Sequence, residues 1–235
     1  MKAIILAAGR GERMRPLTDH TPKPLLRVRG KPLIEWHLEG LARGGVREVV
    51  VNTAWLEEQI VSALGDGQRF GLAIRYSLEG RDHGGALETA GGLKKALPML
   101  RIEADEPFWY VAADVFAPAF DFGPAAASAI QAGQLGHLWM VPNPPQHPGG
   151  DFGLADGLAT AADGGPSFTW SGIGLFRPAF VSELMAQLPL GEKARLRPYL
   201  DEAIARRRLG AQRWDGGWAD IGTPERLRAL DEAAA

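Results

Sequence analysis

The chain has 235 residues, of which 46% are hydrophobic, a formal net charge of −2 and no cysteine. A chain of this length can bury a sizeable core, and its balanced charge gives no indication of nucleic acid or an anionic membrane as a partner. The lack of cysteine excludes disulfides and thiolate chemistry and fits a cytoplasmic protein. We find no signal-peptide pattern and no apolar run of roughly 20 residues that could span a bilayer.

Strands and helices are predicted to alternate over the first third of the chain. The apolar run from Ala3 to Leu6 is typical of a buried strand. The following segments are predicted to be a helix from Lys31 to Gly44, a strand at Glu48–Val51, a helix at Trp55–Leu64 and a strand at Leu72–Ser77. This order predicts a parallel sheet with right-handed crossovers.

The rest of the chain is predicted to extend this sheet and add an antiparallel excursion. Strands are predicted at Phe108–Ala112, Leu135–Val141 and Gln212–Trp214. Short antiparallel strands are predicted within Asp151–Phe176, the clearest at Phe168–Phe176. A loop is predicted at Glu79–Gly85 and an irregular turn at Gly217–Ile221. Predicted helices are Leu87–Leu97, Asp121–Ala132, Pro178–Leu188, Leu196–Arg207 and Pro224–Ala234. We predict a single domain over residues 1–235, with its ligand site beyond the carboxyl ends of the parallel strands.

Small and basic residues follow the first predicted strand. The small ones are Ala7, Ala8, Gly9 and Gly11, and the basic ones are Arg13, Arg15 and Lys23. Without large side chains, backbone N–H groups can approach and bind an anion, so the segment suits a polyphosphate. Met14 stands where a dinucleotide fingerprint needs its third glycine, and Gly11-Glu12-Arg13 lacks the Gly-Lys-Ser/Thr of a P-loop.

The wider pattern resembles a known family signature. Leu-Ala-Ala-Gly-x-Gly-x-Arg-Met-x-Pro-Leu-Thr at residues 6–18, followed by Pro-Lys-Pro-Leu at residues 22–25, is similar to the signature of the sugar-1-phosphate nucleotidyltransferases. The resemblance implies a three-layer α/β/α, Rossmann-like nucleotide-diphospho-sugar transferase fold with a mixed, mostly parallel sheet. Within this family, the chain most resembles the uridylyltransferases that use UTP and N-acetylmuramate 1-phosphate in peptidoglycan recycling. This narrower resemblance rests on the residues at Gly11–Thr18 and Leu64–Gly67 and on the short length of the chain.

The implied reaction needs cations more than it needs a base. A sugar phosphate attacks the α-phosphorus of an NTP and expels pyrophosphate, and the nucleophile is already an anion because the second pKa of a phosphate monoester is about 6. Magnesium, held by carboxylates, and fixed cations must therefore stabilise the developing charge. The histidines show no metal-ligand spacing.

The resemblance implies roles for particular residues. Arg13 and Lys23 are the expected catalytic cations, and Asp114 and Asp220 (in Trp-Ala-Asp-Ile-Gly) the expected magnesium ligands. The expected nucleotide-binding residues are Ala7, Ala8, Gly9, Gly11, Glu12, Arg13, Lys23 and Glu79, and the expected sugar-binding residues are Glu88, Thr89, Asp151, Ser171 and Arg195. The alternative for each is a surface charge, a turn residue, a helix cap or a small strand residue.

One departure from the signature leaves other functions open. The family usually has Asn-Gly-Asp before the metal site, and this chain has Ala112-Ala113-Asp114. The alternatives are a hexose or heptose 1-phosphate nucleotidyltransferase using another NTP, or a non-catalytic sugar-nucleotide sensor. A dinucleotide-dependent oxidoreductase is disfavoured by Met14. We expect a monomer or a small homo-oligomer.

Overall fold

A computed structural model describes residues 1–103 and 105–232 of the chain. The strands are β1 Lys2–Leu6, β2 Arg27–Val28, β3 Lys31–Pro32, β4 Glu48–Thr53, β5 Ala73–Leu78, β6 Phe108–Ala112, β7 Val115–Phe116, β8 Gly136–Val141, β9 Phe152–Ala155, β10 Leu158–Thr160, β11 Ser167–Phe176, β12 Leu209–Arg213 and β13 Ala219–Asp220. The α-helices are α1 Leu33–Arg43, α2 Glu57–Leu64, α3 Glu79–His83, α4 Glu88–Ala96, α5 Pro124–Ala127, α6 Arg197–Ala205 and α7 Pro224–Glu232. Ala233 and Ala234, which we predicted to end the last helix, lie outside the described residues.

Nine of these strands form one mixed sheet in the order β5-β4-β1-β6-β11-β8-β12-β10-β9. The first four strands in this order are mutually parallel, as the sequence predicted. Strand β11 then enters antiparallel between β6 and β8, and β12 pairs parallel with β8. Strand β9 pairs with β10 and also returns to the start of β11. The predicted antiparallel excursion is therefore part of the main sheet.

Alternating side chains of the parallel strands supply two cores, one on each face of the sheet. Ile4 and Val50 point to the face covered by α4 and α6. Ile5 and Val51, their neighbours in the sequence, point to the face covered by α1 and α2. Because both faces of the sheet are buried, the strands read as continuous apolar runs. The arrangement is the three-layer α/β/α fold that the sequence predicted.

Two predicted elements differ from the structure. Residues 79–83, predicted as a loop, form α3, because the Glu57 carboxylate of α2 accepts hydrogen bonds from Gly80 N (3.1 Å) and Arg81 N (2.8 Å) in its first turn. The alanine-rich helix predicted from Asp121 to Ala132 is only the single turn α5. Short helices depend on packing of an apolar face, and alanines bury little surface there.

The segment predicted as a helix at Pro178–Leu188 contains a π-helical turn, Phe180–Leu184. Its apolar residues Phe180, Val181 and Leu184 are buried in the core beside α6. Within the described part of the chain, no helix has the length and apolar character needed to cross a membrane.

Candidate active site

A cavity of about 780 Å³ opens at the carboxyl ends of β1, β4 and β6. These strands are adjacent and parallel, so the chain leaves the sheet at the same edge after each of them. The predicted site residues that line the cavity are Ala7, Ala8, Gly9, Gly11, Glu12, Arg13, Lys23, Glu88, Thr89 and Asp114. The motif residues are thus brought together although they come from three separate parts of the chain.

The N-terminal loop, residues 7–14, forms one side of the cavity. Gly11 has φ of 68°, and a Cβ there would come within 3.1 Å of the Thr18 methyl and 3.2 Å of the Lys23 side chain. The Thr18 hydroxyl donates to the Gly11 carbonyl at 2.8 Å. Glycine is needed here because the backbone is left-handed and the loop packs directly on Lys23. Arg13 lines the cavity as an exposed side chain, whereas Arg15 pairs with Asp19 at 2.6 Å.

Lys23 and Asp114 form an ion pair inside the cavity. Lys23 Nζ donates to Asp114 Oδ2 at 2.8 Å, and Lys23 is only 8% exposed. Burial would raise the pKa of Asp114, but the charge and hydrogen bond of Lys23 outweigh it and hold this pKa below its usual range. Asp114 is therefore ionised at neutral pH, and Lys23 has a fixed position among the cavity residues.

Asp220 lies on the strand that pairs with the segment following Asp114. β13 is antiparallel to β7, with Asp220 opposite Val115, and Ile221 N donates to the Asp114 carbonyl at 3.0 Å. The Asp220 carboxylate accepts bonds from Arg226 at 2.5 and 2.8 Å and from Gln146 at 2.9 Å. Asp220 is thus next to Asp114 along paired backbone but outside the cavity lining.

The two aspartates fit a hard divalent cation by the chemistry of their donors. Carboxylate oxygens are preferred magnesium ligands, and each can accept more than one partner. Among residues 1–103 and 105–232, no group of three or more His, Cys, Asp or Glu side chains converges into a metal cluster. The protein would therefore offer Asp114 and Asp220, and phosphate oxygens and water would complete the coordination, as is common for magnesium.

Glu79 lies behind the cavity wall, next to Asn52, and does not line the cavity. It is 0% exposed, and its two carboxylate oxygens accept from Asn52 Nδ2 at 2.7 Å and Leu87 N at 2.8 Å. Burial raises the pKa of Glu79, and the bonds from Leu87 and Asn52 oppose the shift. The predicted nucleotide contact disagrees with this position, because Glu79 is fully buried and is not among the residues that line the cavity.

The side of the cavity at the start of α4, which we call the α4 wall, consists of Ala86, Glu88, Thr89 and Lys193. Glu88 has φ of 59°, a left-handed conformation that is unusual for a residue other than glycine. The loop that carries Lys193 is fixed to α4, since Ala194 N donates to Leu87 O at 3.1 Å and Ala90 N donates to Ala194 O at 2.8 Å. Glu88 and Lys193 place opposite charges on this wall.

Three predicted sugar-binding residues are not part of the cavity lining. The Asp151 carboxylate accepts from Trp170 N of β11 at 2.8 Å and contacts His147 Nε2 of its own loop at 3.1 Å. Ser171 is 0% exposed, and its carbonyl accepts from Trp218 Nε1 at 2.9 Å. Arg195 is exposed and lies two residues beyond Lys193, outside the lining. Each holds or borders a loop near the site and does not face the cavity.

Four polar residues of the cavity were not predicted from the sequence: Arg10, Asn52, Tyr110 and Lys193. Asn52 ends β4 next to the N-terminal loop, and its position after a buried parallel strand is a signal that could have identified it. Lys193 comes from a loop far along the chain and carries no comparable signal. At the Asn-Gly departure, both Ala112 and Ala113 line the cavity, and Ala113 is 1% exposed and also packs in the core.

Comparisons with known proteins agree with this geometry. The family described as Nucleotidyl transferase matches residues 2–160. The chain is 47% identical to N-acetylmuramate alpha-1-phosphate uridylyltransferase of Neisseria meningitidis, over 100% of this chain and 98% of that protein. It is 31% identical to the protein of the same name from Caulobacter vibrioides, over 99% of this chain and 96% of that protein.

The fold has a match among solved structures. A Bacillus anthracis crystal structure assigned to glucose-1-phosphate thymidylyltransferase superposes with a TM-score of 0.80 and 22% identity, covering 100% of this chain and 95% of that one. At this identity the likeness supports the fold. Together with the family match over residues 2–160 and the full-length relatives, it shows that the chain belongs to the sugar-phosphate nucleotidyltransferases, enzymes that transfer a nucleotidyl group to a sugar 1-phosphate.

Proposed function

We propose that this enzyme transfers the uridylyl group of UTP to N-acetylmuramate 1-phosphate, with magnesium as cofactor, giving the UDP-sugar and pyrophosphate. The observation that carries the proposal is the 47% identity over the whole chain to the Neisseria meningitidis uridylyltransferase of that substrate. The second full-length relative of the same name supports it at 31% identity. We also propose a cytoplasmic location and a role in peptidoglycan recycling, as for an enzyme that uses UTP.

In the proposed reaction, an oxygen of the sugar phosphate forms a bond to the α-phosphorus of UTP. The bond between the α-phosphorus and its bridging oxygen to the β-phosphorus breaks, and pyrophosphate leaves with the electron pair. No side chain has to remove a proton, since the nucleophile is an anion at neutral pH. Lys23 is fixed at 2.8 Å from Asp114 and lines the cavity, so its charge can act where negative charge develops.

The N-terminal loop and Arg13 are suited to bind the departing pyrophosphate, because backbone N–H groups and a guanidinium are both anion ligands. Asp114 and Asp220 would hold the magnesium ion. When bound, magnesium supplies positive charge that brings the two anionic substrates together and stabilises the leaving group.

The test is pyrophosphate release over a matrix of four NTPs and several sugar 1-phosphates, with and without magnesium. We expect the highest kcat/KM for UTP with N-acetylmuramate 1-phosphate and no turnover after chelation of divalent cations. A higher kcat/KM for a hexose 1-phosphate, or for another NTP, would replace the substrate assignment and leave the family assignment unchanged. Turnover that survives chelation would remove magnesium from the mechanism.

A second candidate function rests on Ala112, which lines the cavity without a polar side chain. A hexose 1-phosphate with another base would be favoured if this position faces a less polar sugar than N-acetylmuramate. Part of the chain is also 49% identical to a UTP–glucose-1-phosphate uridylyltransferase of Synechocystis, over 40% of this chain and 26% of that protein, which supports a hexose 1-phosphate but not a base other than uracil. The substrate matrix above separates these two candidates.

A further inference from the structure

A chain of buried hydrogen bonds crosses the back of the cavity. Ala7 N, at the start of the N-terminal loop, donates to Asn52 Oδ1 at 2.6 Å. Asn52 Nδ2 donates to Glu79 Oε1 at 2.7 Å, and Glu79 Oε2 accepts from Leu87 N at 2.8 Å. Both side chains are buried, at 2% exposure for Asn52 and 0% for Glu79. We call this set of bonds the Asn52–Glu79 relay.

The two ends of the relay are the two sides of the cavity. Ala7 begins the N-terminal loop, and Leu87 immediately precedes Glu88 of the α4 wall. The backbone at Glu88 is left-handed and disfavoured for glutamate, and such a conformation persists only where its surroundings fix it. Leu87 is fixed on both of its backbone groups, by Glu79 at its N–H and by Ala194 at its carbonyl.

The bonding pattern allows one orientation of each side chain. The amide of Asn52 must place its oxygen toward Ala7 N and its nitrogen toward Glu79, because Ala7 N can only donate and the carboxylate accepts. Glu79 must accept at both oxygens. Neither side chain can turn without leaving a buried group unbonded, which is costly inside a protein.

Helix α4 is also adapted to the relay. Gly92 lies against both side chains, and a Cβ there would be 2.5 Å from Asn52 Nδ2 and 2.7 Å from Glu79 Oε1. A glycine inside a helix lowers its stability, so close packing on the relay accounts for its presence. The relay therefore involves β4 through Asn52, α3 through Glu79 and α4 through Gly92, as well as its two ends.

We propose that Asn52 and Glu79 are positioning residues that hold the N-terminal loop and the α4 wall in one fixed geometry. The proposal rests on the proposed function in that the N-terminal loop is taken as the nucleotide side and the α4 wall as the sugar side. Glu79 acts on the α4 wall through Leu87 and Glu88, and on the N-terminal loop through Asn52 and Ala7. The relay thus sets the distance and orientation between the two substrates, on which an in-line transfer depends.

The test exchanges donor and acceptor within the relay. Asn52→Asp removes the donor and sets two carboxylates against each other, and Glu79→Gln sets an N–H₂ group against Asn52 or Leu87. In the double variant, the new amide at position 79 can donate to the new carboxylate at position 52 and accept from Leu87 N. That carboxylate still accepts from Ala7 N, so all bonds return. We expect each single variant to lower kcat/KM at least tenfold and the double variant to recover to within about threefold of wild type.

A second readout separates positioning from folding. The ratio of kcat/KM values for N-acetylmuramate 1-phosphate and N-acetylglucosamine 1-phosphate should fall in both single variants and return in the double variant. Loss of folded protein would lower the kcat/KM values for both sugars by the same factor and would leave their ratio unchanged. Glu48→Gln is the matched control, since Glu48 begins β4 at the opposite end of the sheet and pairs with Lys2 and Arg75; its kcat/KM values and their ratio should not change.

Three outcomes would overturn the proposal: unchanged single variants, an equal fall for both sugars, or a double variant no better than the worse single one. If wild type prefers another NTP or sugar 1-phosphate, the proposed substrates are wrong, but the same variants are then measured on the preferred pair and on its nearest competitor. Failure of the substrate assignment and failure of the relay are therefore distinguishable.

Discussion

The Lys23–Asp114 pair is the central contact of the site at the scale of single residues. Lys23 is almost buried, and its ammonium forms an ion pair with the carboxylate of Asp114 in the cavity lining. The pKa of Asp114 is held below its usual range, so its charge persists well below neutral pH. In the proposed function, the Asp114 carboxylate would both orient Lys23 and bind the magnesium ion.

Asp114→Asn should lower kcat by at least about a hundredfold, the order lost when one strong electrostatic group is removed from a site. The amide keeps the size of the side chain but loses the charge that orients Lys23. Steady-state rates with saturating substrates and magnesium measure the effect. Asp163→Asn, on an exposed loop, is the control and should be fully active. A normal rate for Asp114→Asn would remove this residue from the mechanism.

Glu88→Gly separates function from backbone strain. A left-handed backbone costs roughly 1–2 kcal/mol for a residue with a Cβ, and glycine also loses more chain entropy on folding, so stability should stay unchanged or rise by up to about 1 kcal/mol. If Glu88 binds the sugar, kcat/KM should fall about ten- to a hundredfold, as for loss of a charged hydrogen bond. The affinity for UTP alone should not change.

Asp156→Gly is the control for that prediction. Asp156 is also acidic and exposed, and its backbone is also left-handed, with φ of 51°. It lies in the turn between β9 and β10 and does not line the cavity. It should show the stability effect without the kinetic one. Wild-type kcat/KM in Glu88→Gly would contradict a sugar contact, and weaker UTP binding would move the contact to the nucleotide.

The sequence motif correctly predicted cavity residues whose position depends mainly on residues nearby in the chain. Gly11, Lys23 and Asp114 lie in the cavity as the motif predicted. Asp151 and Ser171 were predicted from their place in a pattern, but which way they face depends on how distant loops pack, and both are used within the protein. Such orientation is decided by tertiary contacts that a single sequence does not contain.

At the scale of elements, α4 shows how a sequence can violate helix propensity for the sake of contacts. It contains two consecutive glycines, Gly91 and Gly92, and each lowers the intrinsic stability of a helix. A Cβ on Gly91 would lie 2.3 Å from the Glu192 carbonyl, and one on Gly92 would meet the Asn52–Glu79 relay. The helix is thus shaped to let a loop and a polar network approach it closely.

Gly92→Ala should therefore destabilise the protein, although alanine favours an isolated helix by about 1 kcal/mol. Overpacking of a close contact typically costs about 1–3 kcal/mol, which outweighs the gain in propensity. Urea unfolding gives the free energy, with Gly165→Ala as the control because a Cβ there meets nothing within 4 Å. A Gly92→Ala variant as stable as wild type would mean that the relay can shift without cost.

Elements that depend on distant partners were the ones the sequence missed. Helix α3 needs the carboxylate of Glu57 at its first turn, and nothing in residues 79–83 indicates that partner. Strands β1, β4, β5 and β6 were predicted closely because a buried strand between helices has a clear apolar pattern. The position of β11 between β6 and β8 could not be read from periodicity, since strand order is a property of the whole sheet.

At the scale of the whole molecule, two buried histidines make stability depend on pH. Burial lowers the pKa of His37 to about 4, against the bond that its Nε2–H donates to Val115 O at 2.7 Å. Burial likewise lowers the pKa of His137 to about 4, against its hydrogen bond with Gln212. In the unfolded chain both would titrate near their ordinary pKa of 6.5.

Between pH values of about 6.5 and 4 the unfolded chain binds more protons, so the free energy of unfolding should fall as pH falls through this range. Over the whole range the loss is roughly 3 kcal/mol for each histidine, at 1.36 kcal/mol per unit of pKa. Urea unfolding at about pH 7 and about pH 5 should detect about 2 kcal/mol of it for each histidine. His37→Gln and His137→Gln should each flatten the dependence, and the exposed His20→Gln should not. If the free energy of unfolding depends on pH equally in wild type and all three variants, groups other than these histidines cause the dependence.

The return of β9 to β11 has a consequence for association between molecules. Because β9 pairs on both sides, the main sheet has β5 as its exposed edge among the described residues. Open edges are where chains add strands to one another and aggregate. Arg75 lies in the middle of β5 and directs its guanidinium to Glu48 and to the Met99 carbonyl. Self-association through strand pairing is thus confined to one edge, and a charged side chain stands at its centre.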